Sequence, residues 1–85
     1  MHRLTRKTES GSYEVIEGFS QEDIIIKLAC FENMYDALKN EQLKIAKEMD
    51  NMRSDDKTKT VTYKQKLANK LLIMDIIGRF EVYGL

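Results

Sequence analysis

Glu32 and Asp36 stand four residues apart, a spacing that puts two carboxylates on one face of a helix. Such a pair does acid–base work only where its surroundings drive the two pKa values apart. On a wet helix face the same residues are two solvated charges with mild mutual repulsion, and that is the expectation here. Asp75 interrupts the apolar run "LLIMDIIGRF". Buried, its carboxyl would be pushed up by desolvation; on the polar side of a helix it would pair with Arg79 at i+4, the preferred reading. Cys30 is the only cysteine and His2 the only histidine. They form neither a disulfide, nor a zinc-ligand spacing, nor a nucleophile with its base. With no glycine-rich phosphate loop either, the chain is not expected to be an enzyme, and no catalytic, metal or cofactor site is assigned.

A second constellation is basic. Residues 57–70 carry Lys57, Lys59, Lys64, Lys66 and Lys70 with no acid, whereas residues 21–56 carry nine acids and five bases. The lysines can meet phosphate, with Tyr63 stacking on a base, as in single-strand binders. They can equally offset the acids of the preceding segment, among them Glu48, Asp50, Asp55 and Asp56, in a solvated and partly paired face. The second reading is preferred because the whole chain balances 14 acids with 14 bases, leaving no net field to attract a polyanion. Nucleic acid is thus the alternative partner.

These residues have to be positioned by helices. The chain has no proline, so nothing forces a kink. Ser20 is a suitable cap, Glu22 and Asp23 put negative charge at the positive end of the helix dipole, and Phe19 can staple onto Ile24. From there Ile24, Leu28, Phe31, Tyr35, Leu38, Gln42, Ile45, Met49 and Met52 follow in steps of four and three. That is a heptad seam broken only by Gln42, which can set register as polar seam residues do in coiled coils, or lie exposed at a break. The polar stretch "SDDKTKT" ends it. A second helix is expected after Thr62, with Gln65 completing a capping box. Its stripe is read as Leu67, Leu71, Met74 and Ile77, widened by Ile73, Ile76 and Phe80, with Gly84 as its stop. The predicted organisation is an N-terminal arm or small β-hairpin over 1–19 and a helical hairpin over 20–85, with helices over about 21–53 and 63–82 joined by 54–62. In the arm, Gly11 can supply the turn between two short strand-like stretches.

The fold class is therefore mostly α, a long antiparallel hairpin. Chains of 85 residues bury little core and need a further source of stability. The first helix, about 50 Å long, would overhang the second, about 30 Å long. The second is apolar over a wider arc than one neighbour covers. Both features point to a second copy and a homodimeric bundle; the alternative is a break at Lys39-Asn40 giving a three-helix monomer. No apolar run is long enough to span a membrane and no signal peptide is apparent. A reducing cytoplasmic location is expected, consistent with a lone free cysteine.

The opening "RLTRKTESGSYEV", followed by "IIKLACFEN", resembles a group of small proteins of prophages and mobile elements in Gram-positive bacteria. Their L-T-R opening is matched by Leu4, Thr5 and Arg6. Their K-L-A-x-[YF]-E-[DN] motif is matched by Lys27, Leu28, Ala29, Phe31, Glu32 and Asn33. "KTVTYKQKLANKLL" and "RFEVYGL" resemble a C-terminal module of such proteins. Many of that group continue with a G-L-T-P-E-E turn where this chain has "MYDALKNEQ", a departure that favours an unbroken first helix. The resemblance implies an accessory protein encoded by a phage or mobile element in a host bacterium, and by analogy of gene origin one that acts by binding another protein, host-encoded ones included. It transfers no active site.

Overall fold

A computed structural model describes residues 1–85. The elements are β1 (Thr5–Lys7), β2 (Tyr13–Val15), α1 (Gln21–Ser54) and α2 (Val61–Val82), so the protein is mostly helical with a small antiparallel sheet. The chain divides into two compact units, Met1–Glu32 and Asn33–Leu85.

In the first unit β1 and β2 pair antiparallel, Thr5 opposite Val15, Arg6 opposite Glu14 and Lys7 opposite Tyr13. Gly11 closes the loop: its amide donates to the Thr8 carbonyl and its φ is 85°, a left-handed conformation that glycine adopts without a Cβ penalty. Arg6 bonds Glu14 across the strands at 2.6 Å. Glu17-Gly18 then turns the chain, Phe19 donating to the Ile16 carbonyl. Ser20 caps α1 as expected, through a reciprocal box: the Asp23 amide donates to Ser20 Oγ, and the Ser20 amide to Asp23 Oδ2. Two of the amides a helix start leaves free are thereby satisfied.

In the second unit α1 runs through Lys39-Asn40 without a break. It ends where Asp56 takes a left-handed φ of 56°, the Lys57 amide donating to the Met52 carbonyl and the Asp56 amide to Arg53. That pair of bonds is a Schellman cap, satisfying carbonyls that the helix end leaves bare. α2 closes in the same way, with Gly84 at φ 84° and the Leu85 amide on the Phe80 carbonyl. Its start differs from expectation. The cap is Thr60, whose Oγ1 accepts from the Tyr63 amide and donates to the Lys57 carbonyl, so α2 begins two residues earlier than read. Threonines alternate at 58, 60 and 62, and the bond back to Lys57 selects the middle one.

The core is small. Ile45 and Met49 of α1 meet Ile73 and Ile77 of α2, and Tyr35, Leu38 and Tyr63 pack against them. At the open end of the hairpin the Tyr35 and Phe80 rings lie 6.1 Å apart and tilted, an arrangement aromatic quadrupoles favour. Tyr35 donates to Glu81 and carries the Lys39 ammonium over its face. The stripe of α2 that turns inward is therefore Tyr63, Ile73, Ile77 and Phe80, with the stems of Lys66 and Lys70 half-buried beside them. As part of the hairpin's own core, Leu67, Leu71 and Met74 need correction: all three are exposed. The apolar arc of α2 is so wide that its period leaves the inward direction open, and the aromatic rings at 63 and 80 settle it. Gln42 lies half-buried on α1.

Candidate functional site

The residues singled out for chemistry lie apart. Glu32 and Asp36 are exposed and form no ion pair. Asp75 pairs with Arg79 at 3.2 Å, with both side chains largely exposed. Cys30 is exposed and free.

The basic run divides. Lys66 donates to Glu48, and this bond, with the charges of Lys66 and Lys44, holds the Glu48 carboxyl below its ordinary value against a smaller opposing effect of desolvation. Lys70 is half-buried, while Lys57, Lys59 and Lys64 are exposed. Lys64 and Lys66 are two residues apart, which on a helix turns them about 200° from one another. The five lysines make no single stripe. Tyr63 packs its ring on the core and accepts from Arg53 Nη1 at 3.0 Å through its hydroxyl, so the ring proposed for base stacking is engaged inside the hairpin. Arg53 also pairs with Asp50.

The predicted seam separates into three groups. Ile45, Met49 and Ile77 are buried; Tyr35, Leu38 and Phe80 are partly buried in the hairpin, and Ile24 and Phe31 partly buried in the first unit. Leu28, Leu67, Leu71 and Met74 are exposed by 40–56%. In the first unit a groove of about 300 Å³ runs between the start of the chain (Met1, Leu4) and Ile24, Leu28 and Phe31. Lys27 reaches across to donate to the His2 carbonyl at 2.7 Å. The groove is apolar and has no convergent set of polar groups that would fix a substrate.

The most organised surface is on α2. Leu67, Leu71, Met74 and Gly78 follow at spacings of four, three and four, which places them in one stripe about 100° round the helix from the inward stripe. Sequence reasoning named the first three; Gly78 it missed, although a glycine in mid-helix, among the poorest helix formers, was a usable signal. Compared with protein-family models, curated proteins and solved structures, the chain has no match in any of the three. No helix is long and apolar enough to cross a membrane.

Proposed function

We propose that this chain is a small, non-enzymatic interaction protein that works as a homodimer and acts by binding another protein. In the setting its motifs resemble, it would be an accessory product of a phage or mobile element in the bacterial cytoplasm, with host proteins among its targets. The observation that carries the reading is the mismatch between core and surface. Only Ile45, Met49, Ile73 and Ile77 are buried apolar side chains, while Ile25, Ile26, Leu43, Leu71 and Leu72 are each more than half exposed. Scattered exposed leucines are ordinary, but contiguous apolar faces mark interaction sites. A chain of this size with so small a core gains from covering one.

The runner-up, nucleic-acid binding by the lysines, has the exposed Lys57, Lys59 and Lys64 in its favour and the internal use of Lys66 and Tyr63 against it. Light scattering on the purified protein at micromolar concentration tests the leading reading. A dimer is expected, and a 10.0 kDa species at every concentration would refute it. A labelled strand shifted in a gel, with affinity falling steeply as salt rises, would transfer the assignment to the runner-up.

A further inference from the structure

The stripe on α2 has an unusual make-up. Leu67, Leu71 and Met74 are exposed by 40%, 56% and 45%, and the next position in the series is Gly78. A Cβ placed on Gly78 would meet nothing within 4 Å, and its backbone is not left-handed. Neither packing nor conformation within the chain calls for glycine there. Around it lies a notch of about 370 Å³ lined by Met74, Val82 and Tyr83 together with the Asp75 and Arg79 pair. One helix thus carries a projecting leucine and, seven residues on, a recess.

We infer that this stripe is covered by the same stripe of a second copy, α2 packed antiparallel on α2 about a two-fold axis near Met74, with Leu71 of each copy seated over Gly78 of the other. The inference rests on the self-association proposed above and supplies its surface. Two arguments identify the occupant and its sense. The face is self-complementary, as an isologous contact requires: a two-fold axis near Met74 brings knob 71 to notch 78 twice. Charge favours the antiparallel sense. A parallel pair would stack Lys64 on Lys64 and Leu71 on Leu71 and leave the two notches facing each other. The antiparallel pair carries Lys64 to the C-terminal end of the other α2, where the helix dipole attracts a cation.

Sedimentation equilibrium on the full chain tests this with wild type, Gly78→Ala, Gly78→Leu, Leu71→Gly and the swap Leu71→Gly/Gly78→Leu, circular dichroism reporting helicity. Gly78→Ala has room within the chain and a better helix former, so the diluted monomer should melt higher while dimer affinity falls about tenfold or more. Gly78→Leu and Leu71→Gly should each weaken the dimer by a hundredfold or more. The swap should recover most of the loss, since it exchanges knob and notch in the antiparallel register only. A wild-type dimer untouched by the single variants would overturn this face while leaving self-association standing. Weakened single variants with no rescue would overturn the antiparallel register. A wild type that is monomeric throughout would overturn the inference together with the reading beneath it.

Discussion

Replacing Met49 by alanine tests the hairpin core most directly. Met49 is 2% exposed and the largest fully enclosed side chain in the protein. It contacts the cluster formed with Ile45, Ile73 and Ile77. Truncating a buried methionine to alanine removes transfer energy and leaves a cavity, together about 2–5 kcal/mol. With so little core around the site, some collapse is expected, which places the loss near the lower half of that range, about 2–3 kcal/mol. An 85-residue domain has a total stability of roughly 4–13 kcal/mol, so the variant should stay folded in the cold but melt about 10–20 °C lower. Leu43 lies on the same helix and is 70% exposed; Leu43→Ala should change stability by no more than about 0.5 kcal/mol. The assay is urea unfolding followed by helix dichroism, repeated at several protein concentrations because association adds to apparent stability by mass action. The reasoning fails if the two variants lose equal stability, since the inward phase of α1 would then be wrong.

Asp56→Gly should stabilise the protein by about 0.5–1 kcal/mol, because it removes both a left-handed non-glycine residue and an acid at the negative end of α1; an unchanged or lower urea midpoint would count against the cap. Ser20→Ala should cost about 1 kcal/mol locally, read as faster amide exchange at Asp23 and Ile24 while the α2 amides keep their protection. The Lys66–Glu48 bond makes a pH prediction. Because the folded carboxyl lies below its ordinary value of 4.5, its contribution is present above that pH and is lost as pH falls through the lower folded value. Wild type should therefore be more stable than Glu48→Gln at neutral pH, the gap should close in acid below about pH 4.5, and a gap that widens in acid would contradict the pairing. Arg6→Ala should alter global stability by no more than about 1 kcal/mol, as exposed ion pairs do, and a larger shift in the melt would give the strand pair more weight than its exposure allows.

Much of the architecture is legible in the residues themselves. The four–three spacing from Ile24 to Met52 announced one long helix, Ser20 its start, and Gly11 a turn in the arm. The phase of α2 was not legible, since Leu67, Leu71, Leu72, Ile73, Met74, Ile76 and Ile77 surround the helix too evenly for spacing to choose an inward side. Tyr63 and Phe80 made that choice, by packing their rings inside the hairpin. Lysine stems hide a similar signal: Lys66 reads as charge in sequence, yet its half-buried stem and paired head belong to the hairpin's interior face. The candidate site was seen only in part. A leucine at 71 looks like core until the fold turns it outward, and Gly78 acquires meaning only once nothing nearby is found to require it.

The Schellman cap of α1 and the six-residue connection from Ser54 to Val61 bear on the order in which the hairpin forms. Contacts beside the connection, such as Lys66 with Glu48, close a short loop, whereas Tyr35 with Glu81 closes one more than twice as long. On loop-closure entropy alone the distant pair lags the near pair by about 0.8 kcal/mol. The near end also holds a Schellman-capped helix and the bond from Thr60 to Lys57, both local and available within the first microseconds of chain motion. Folding of this unit should therefore zip from the closed end, with Met49 and Tyr63 engaging early and the Tyr35–Phe80 pair engaging last. During synthesis, residues 79–85 emerge from the ribosome after the α1 residues they pack against. The open end would be the last part to lock and the first to let go.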